Sequence, residues 1–355
     1  MRLTISNIKT RLITISSGIV LLVLNNCVTP FEPERRDIDK QLVVSGSITD
    51  GPGPHFISVN YTPPYSDIKQ KSYLYPNNAR VFLYDDTGYE EELSPTTYGT
   101  YKTADDTKGV PGRTYHVTIV LENGTRYESR PELMAPVPAI DTLFAEFKPL
   151  PSTDVPGKFS VYLETTDAPE TNNYYWWNWE HYETLPYCKI VALPGGGRLA
   201  YPCCNPCWRI TFCDGCFSLT SDYLSNGKRL RRQHITDVPY DSKDPYYIMV
   251  KQQSISEDAF KFWSAVYDQL NNTGGVFDKS PATIQGNIFN VSDPTEQVLG
   301  YFMANSVVQR YFYVDRNVDV LLVRRPFNPY EIAETCVNCE NQVGRTNVMP
   351  PGWIN

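Results

Sequence analysis

Histidine is scarce in this chain of 355 residues, and the motifs that commonly assemble catalytic groups are missing. None of the four histidines stands in an HExxH pattern, and neither a GxSxG elbow nor a Walker-type phosphate loop occurs. No pair of carboxylates is singled out by its spacing. These absences predict a protein that is not an enzyme, with no catalytic residues and no cofactor.

Charged residues and long apolar runs are also few. Lys, Arg, Asp and Glu make up 20% of the residues, and the net charge is -8, which argues against a nucleic-acid-binding protein. After residue 24, no apolar run approaches the roughly 20 residues that a transmembrane helix needs. The mature chain is therefore not expected to cross a bilayer as a helix.

The N-terminus has the layout of a secretory signal peptide. Three basic residues precede the uncharged run 12–24, and Cys27 follows that run after two asparagines. The sequence VLNNC resembles a bacterial lipobox, although two asparagines replace the usual small residues. We expect residues 1–26 to be removed and Cys27 to carry a lipid such as palmitate; an ordinary signal peptide cut nearby is the alternative.

The rest of the chain divides into a tether and two folded modules. Residues 27–40 read as a lipidated tether, because they contain two prolines and seven charged side chains and little that could form a core. Residues 41–136 predict an immunoglobulin-like β-sandwich. Two prolines near residue 136 mark a hinge, after which residues 140–355 predict a second β domain.

Period-2 alternation of apolar residues indicates the β character of both modules. Val81 and Leu83 stand two positions apart, as do Tyr115, Val117 and Ile119 in turn. Turn signals of the Asn-Gly type separate such segments at short intervals. The sequence thus predicts a mainly β protein with tandem immunoglobulin-like or fibronectin-like sandwiches, one amphipathic helix and a disulfide-rich insertion.

The helix is predicted over residues 256–272. Ser256 can cap its N-terminus, and Glu257 and Asp258 lie in the first turn, where the helix dipole favours negative charge. Ala259, Trp263 and other apolar residues recur at helical spacing.

Eight cysteines remain after Cys27, and six of them, beginning with Cys188, lie within the insertion 188–217. Three CxxC pairs have the spacing of zinc ligands. An even number of cysteines in an exported chain indicates disulfides instead, because that compartment oxidises free thiols, and we therefore predict disulfides and no bound metal. The cysteines concerned are Cys188, Cys203, Cys204, Cys207, Cys213, Cys216, Cys336 and Cys339. Adjacent Cys203 and Cys204 should have different partners, whereas the last two cysteines could reach the insertion or pair with each other.

The stretch NNYYWWNWEHYE (172–183) is the second unusual segment. If it forms a strand, its aromatic side chains point alternately to both faces. Such a strand is expected to be buried on both faces, which we favour over an exposed sugar-binding platform. For the platform alternative, the candidate binding residues are Trp177, Trp179 and Trp208.

Several segments together resemble one known family. They are QLVVSGSITDGPGPHFISVNYTPPY, YYWWNWEHYE, CCNPCW, the long segment from ISEDAFKFW to GYFMANSV, and the closing PPGW. The chain from about residue 27 onwards resembles the Bacteroidota lipoprotein family catalogued as domain of unknown function 4249. This resemblance implies an outer-membrane lipoprotein of β-sandwich character, often encoded beside a TonB-dependent transporter, and implies no catalytic residues.

The leading expectation is therefore a non-enzymatic, lipid-anchored protein of the outer membrane that is exposed on the cell surface. It would be an accessory subunit of a TonB-dependent β-barrel transporter, capturing a ligand or capping the barrel, with the insertion 188–217 as the contact surface. The alternatives are a stand-alone glycan-binding lipoprotein and a structural subunit of an outer-membrane assembly complex.

Overall fold

The computed structural model describes residues 40–63, 74–150, 156–169, 172–213, 215, 218–223, 226–241, 243, 245–271, 283–320, 331–339 and 344–354. The predicted signal peptide, the lipidation site Cys27 and all but the last residue of the tether lie outside these residues.

The first half of the chain contains these strands: β1 (Leu42–Thr49), β2 (Phe56–Tyr61), β3 (Arg80–Asp85), β4 (Glu90–Glu92), β5 (Ser94–Pro95), β6 (Thr100–Lys102), β7 (Thr114–Val120), β8 (Arg126–Ser129), β9 (Glu132–Leu133), β10 (Ile140–Pro149), β11 (Gly157–Thr166) and β12 (Tyr174–Thr184). The second half contains β13 (Tyr187–Ala192), β14 (Arg198–Pro202), β15 (Trp208–Phe212), β16 (Ser218–Ser221), β17 (Arg229–Pro239), β18 (Tyr246–Ile255), helix α1 (Glu257–Asn271), β19 (Ile288–Asn290), β20 (Phe302–Asn305), β21 (Val307–Val314), β22 (Glu331–Ile332) and β23 (Arg345–Thr346).

The first sandwich has two sheets packed around one apolar core. One sheet has the order β20-β1-β2-β6-β5, and the other has the order β19-β8-β7-β3-β4, with β9 also paired to β7. The predicted alternation is confirmed, since Val81, Leu83, Val117 and Ile119 are all buried in the core between the sheets.

Two strands of this sandwich come from late in the sequence. Strand β20 lies parallel to β1, with Phe302 opposite Gly46, and β19 lies antiparallel to β8. The sequence boundary placed both strands in the module 140–355, so the observed sheet membership differs from that prediction. Apolar alternation indicates which face of a strand is buried, but it does not indicate which distant strand forms its neighbour.

The second sandwich also consists of two sheets. The smaller has the order β10-β11-β17, and the larger has the order β21-β18-β12-β15-β23, with β16 paired to β12. Its core contains Tyr175 and Trp177 of β12, each 1% exposed. The described residues thus form a mainly β protein with two sandwiches in tandem and one helix, as the sequence predicted.

A nearly continuous extended segment joins the two sandwiches. Only Ser306 separates β20, at the edge of a sheet in the first sandwich, from β21, at the edge of a sheet in the second. The Asp50 carboxylate accepts a hydrogen bond from the Val307 amide at 2.7 Å, and the Ser254 hydroxyl donates to the Ala135 carbonyl. The described residues from Lys40 onwards form one compact unit.

Helix α1 begins and ends within one residue of the predicted range 256–272. The Ser256 hydroxyl accepts a hydrogen bond from the Ala259 amide at 3.1 Å, which confirms the predicted N-cap. One face of the helix covers the outer face of β12, where Trp263 packs on Trp176. Its Phe262 packs on Tyr301, immediately before β20, so the helix contacts both sandwiches.

Gly300 allows the chain to enter β20 close to β1. Its φ is +93°, and a Cβ added there would lie 2.0 Å from the carbonyl oxygen of Val44. Gly112 offers a matched comparison, because its φ is +92° but no atom lies within 4 Å of such a Cβ. Both positions favour glycine because their φ is positive, and only at position 300 would an added Cβ also clash with the backbone.

We expect Gly300→Ala to lower the free energy of unfolding by about 2 kcal/mol more than Gly112→Ala does. The strain of a positive φ, about 1–2 kcal/mol, is shared by both variants and cancels in the comparison. Urea unfolding of the two variants measures the difference directly. Equal losses would mean that β20 can move away from β1 at little cost.

Glu132 is a buried carboxyl near the junction of the two sandwiches. Its side chain accepts hydrogen bonds from the Tyr301 hydroxyl at 2.6 Å and from Asn287 Nδ2 at 3.2 Å. Burial raises the pKa of Glu132 above that of an ordinary glutamate. As the pH rises, the unfolded chain therefore loses this proton before the folded chain does, and the folded state becomes relatively less stable.

The variant Glu132→Gln keeps an oxygen that can accept both hydrogen bonds but cannot ionise. We expect the stability of wild type relative to this variant to fall as the pH rises above about 4.3. The fall should amount to about 1.4 kcal/mol for each unit by which the pKa is raised. Urea unfolding at several pH values tests this, with the exposed Glu90→Gln as control; parallel profiles for wild type and Glu132→Gln would contradict it.

Candidate functional site

A small lobe stapled by disulfides projects from the second sandwich. We call residues 185–213 and 331–339 the stapled lobe; it contains a separate three-stranded sheet in the order β13-β14-β22. The lobe continues directly from β12 and returns to it through β15, whose Trp208 lies opposite Thr184. The predicted insertion is therefore attached to the end of a central strand of the sandwich.

Three disulfides cross the lobe, joining Cys188 to Cys203, Cys204 to Cys336 and Cys207 to Cys339. The prediction of disulfides is confirmed, and the last two cysteines of the chain reach back to the insertion. The adjacent cysteines at 203 and 204 have different partners, as expected. Cys213 is also disulfide-bonded, whereas Cys216 lies outside the described residues.

The cysteine geometry does not fit a zinc site. The sulfur atoms of Cys188, Cys207 and Cys339 lie within 4.8 Å of one another, which places three potential ligands together. Each of these three sulfurs is already part of a disulfide bond. Because zinc binds thiolates, these cysteines cannot hold the metal in this state.

The disulfides compensate for a very small lobe core. Buried Cys188, Cys207 and Cys339 form most of that core, with Leu185 and Val337 packed against them. By contrast, consecutive residues of β13 are exposed on both faces of the sheet, including Ile190 and Val191. A sheet that buries so little apolar surface needs covalent crosslinks to remain ordered.

The three tryptophans considered for an exposed sugar platform do not form one. Trp177 is 1% exposed and its Nε1–H donates to Gln252 Oε1 at 2.8 Å, while Trp208 is 4% exposed. Trp179 is half-buried against the core of the second sandwich. The burial of Trp177 and Trp208 contradicts the platform alternative. The core of the second sandwich covers one face of β12 and helix α1 covers the other, as the favoured interpretation predicts.

A cleft opens beside the lobe at the end of the second sandwich. We call it the distal cleft; its volume is about 510 Å³. Its lining comes from the end of β12, the connection from β17 to the start of β18, the end of β21 with the residues just after it, and the C-terminal segment. The lining residues are His181, Tyr182, Glu183, Thr184, Asp241, Pro245, Tyr246, Tyr313, Arg316, Trp353 and Ile354.

His181 has a defined tautomer in the wall of this cleft. Its Nδ1 lies 2.7 Å from the carbonyl oxygen of Tyr247 and must therefore donate a hydrogen. Burial lowers the pKa of His181, so the ring is neutral at pH 7 and Nε2 is an acceptor. Nε2 lies 3.8 Å from Glu183 Oε2, which is also an acceptor. The imidazole ring of His181 stacks on the Tyr246 ring at a centroid distance of 3.6 Å.

The charged groups around the cleft have partners of opposite charge. Buried Arg316 donates to Asp241 Oδ1 at 2.8 Å and lies over the Tyr246 ring. On the other side, Arg209 of the stapled lobe lies 3.0 Å from the carboxylate of Glu183. The cleft therefore combines fixed polar groups with no large excess of charge.

The closing sequence PPGW forms one wall of the cleft. The Tyr247 hydroxyl donates to the Pro351 carbonyl, and the Tyr313 hydroxyl accepts from the Ile354 amide at 2.7 Å. Gly352 packs so closely on the Tyr311 ring that an added Cβ would lie 2.1 Å from it. Trp353 then contacts buried Trp208, which connects the C-terminal segment to the stapled lobe.

Sequence reasoning did not identify the cleft residues as a group. His181 is one of the four histidines outside any HExxH pattern, and Arg316 belongs to no motif described above. The segments WEHYE and PPGW were conspicuous in the sequence. Nothing in their spacing, however, indicated that residues more than 170 positions apart meet in one cleft.

The two long-range disulfides are expected to be partly redundant in their effect on stability. The pairs 204–336 and 207–339 each span 132 positions, but while one is intact the other closes a loop of only about eight residues. Replacing one pair by serines should therefore lower the free energy of unfolding by about 2 kcal/mol, and replacing the second pair should lower it by about 5 kcal/mol more.

Urea unfolding without reductant measures both steps, and the order in which the pairs are removed should not matter. Replacement of the Cys188–Cys203 pair, separated by 15 positions, is the control for loss of a local crosslink. Equal losses at the two steps would show that the bridges act independently.

No helix among the described residues is long and apolar enough to span a membrane.

The chain is similar to a two-domain fibronectin type-III segment of chicken tenascin, with 14% identity over 61% of this chain and 91% of that one, at a TM-score of 0.17. It is also similar to a Corynebacterium diphtheriae protein described as membrane anchored, with 10% identity over 61% of this chain and 54% of that one, at a TM-score of 0.19. These TM-scores are too low for either structure to inform the fold or function of this chain.

A search of curated proteins found no match. The model of one protein family, described as a domain of unknown function (DUF4249), matches residues 28–311, which is most of the chain. The match indicates no enzymatic class. It covers the first sandwich, helix α1, most of the second sandwich and the insertion 188–217, whereas Cys336 and Cys339 lie beyond it. The chain belongs to the DUF4249 family.

Proposed function

We propose that this protein is a non-enzymatic lipoprotein of the outer membrane that serves as an accessory subunit of a TonB-dependent β-barrel transporter. Cys27 is the proposed lipid attachment site, and residues 28–40 form the tether that sets its reach from an outward-facing membrane surface. The folded unit captures a ligand or caps the barrel.

The observation that carries this proposal is the exposed, crosslinked sheet of the stapled lobe. Its apolar side chains include Ile190, which is 48% exposed, and Ile332, which is 61% exposed. Disulfides limit the motion of the strands that carry these residues. A surface that is already ordered loses less conformational entropy when a partner binds, and exposed apolar groups supply favourable contacts.

Strand β13 adds a second feature suited to partner binding. It lies at the edge of its sheet, with β14 on one side and no other described strand on the opposite side. An edge strand presents backbone N–H and C=O groups to which a strand of another protein can bind. A β-barrel offers strands and extended loops of the kind that such an edge can accept.

The proposal predicts that a TonB-dependent barrel co-purifies in stoichiometric amount from native outer membranes in mild detergent. The affinity tag is best inserted in the exposed turn at Asn123-Gly124, because the C-terminal residues line the distal cleft. Mass spectrometry identifies what is retained. Recovery of an assembly complex instead would favour the structural-subunit alternative, and recovery of no membrane protein would contradict both.

The contact surface is tested by the double variant Ile190→Lys/Ile332→Lys. We expect it to lose at least about 90% of the barrel, because two buried lysines would each lose hydration at an apolar interface. Val110→Lys on the first sandwich, where the side chain is 41% exposed, is the control and should retain the barrel. Full retention by the lobe variant would place the interface elsewhere.

A further inference from the structure

The distal cleft has the dimensions and rigidity of a small-molecule site. Its volume of about 510 Å³ lies within the usual range for ligand pockets, roughly 300–1,000 Å³. Strands β12, β18 and β21 are hydrogen-bonded neighbours in one sheet and fix the positions of its walls. The stacked rings of His181 and Tyr246, with Arg316 over Tyr246, leave those side chains little freedom to rearrange.

Two hydrogen-bond acceptors lie near each other in this cleft. His181 Nε2 and Glu183 Oε2 are 3.8 Å apart, which is too far for a hydrogen bond between them. The Nδ1–H of His181 is already committed to the Tyr247 carbonyl, so the neutral ring has no second hydrogen to offer. A ligand hydroxyl placed between these atoms can donate to either of them.

The charge distribution favours a neutral ligand. Asp241 neutralises Arg316 at 2.8 Å, and Arg209 neutralises Glu183 at 3.0 Å. An anionic ligand would approach two carboxylates, and a cationic ligand would approach two guanidinium groups. A polar molecule without net charge avoids both repulsions while still forming hydrogen bonds.

Aromatic side chains provide the remaining wall. Half-buried Tyr313 and Trp353 lie with their ring centroids 6.0 Å apart in an edge-to-face arrangement. Trp353 is further held by contacts with Tyr247 and Trp208. The C–H groups on one face of a pyranose ring pack well against an aromatic face of this kind, while hydroxyl groups point outward to polar partners.

We propose that the distal cleft binds a neutral saccharide, with a sugar hydroxyl donating to His181 Nε2 or Glu183 Oε2 and a sugar face packed on Trp353. This inference deepens the ligand-capture part of the proposed function by naming the class of ligand. It does not require a partner barrel, because every residue involved belongs to this chain.

The test is titration calorimetry on the full chain, purified in a detergent without a sugar head group. The probes are glucose, galactose, mannose, maltose, lactose and cellobiose, with glucuronate and glucosamine as anionic and cationic analogues. We expect at least one neutral sugar to bind with one site per chain, and its charged analogues to bind at least tenfold more weakly. Failure of all neutral probes, or tighter binding of a charged analogue, would overturn the proposal.

Two variants test whether the sugar binds in this cleft. Glu183→Gln keeps an acceptor but removes its charge, and Trp353→Leu removes the aromatic face; each should raise the Kd about tenfold or more. Glu146→Gln, which breaks a comparable ion pair with Arg232, and Trp263→Phe on helix α1 are matched controls that should bind as wild type does. Wild-type affinity in both cleft variants would overturn the assignment of the site.

The outcomes separate this inference from the proposed function. A barrel that co-purifies with a chain unable to bind any neutral sugar would leave the transporter proposal standing and remove the saccharide site. Conversely, a chain that binds sugar through the cleft but retains no barrel would support the site and contradict the transporter proposal.

Discussion

The passage of the chain from β20 through Ser306 to β21 is the constraint on which the rest of the structure depends. Each of these strands extends a sheet of a different sandwich, so a single extended segment belongs to two hydrophobic cores. A rotation of one sandwich against the other about Ser306 would break the hydrogen bond between Asp50 and Val307 and the one between Ser254 and Ala135. The two sandwiches therefore behave as one body, whereas domains joined by a simple linker move more freely.

Helix α1 and strand β12 reinforce this connection. The aromatic residues of β12 alternate between the core of the second sandwich and the outer face that the helix covers. Because the helix also contacts Tyr301 beside β20, its apolar face is buried by both sandwiches at once. The density of aromatic residues in β12 is thus explained by the number of surfaces that meet there, since large rings fill such junctions efficiently.

The far end of β12 carries the two features related to function. The stapled lobe continues from it directly, and the distal cleft is lined by its last residues, including His181 and Glu183. Arg209 of the lobe contacts Glu183, while Trp208 contacts Trp353 of the C-terminal segment. A partner that binds the lobe would therefore bind close to the cleft, and the disulfides that order the lobe also help to hold one wall of the cleft. This proximity is consistent with a ligand-binding subunit that sits against another protein.

The sequence by itself determined the local features of this protein. Alternation at Val81 and Leu83 identified strands, and helical spacing with a cap at Ser256 identified the helix to within one residue at each end. The even cysteine count, together with the predicted export, indicated disulfides. The strands and the helix follow from the conformations of neighbouring residues, so a single sequence contains them. Tertiary structure alone decided which cysteines pair, that β19 and β20 complete the first sandwich, that Trp177 and Trp208 are buried, and that His181, Arg316 and Trp353 meet in one cleft. Each of these depends on contacts between residues far apart in the chain, and periodicity specifies which face of a strand is buried without specifying its partner.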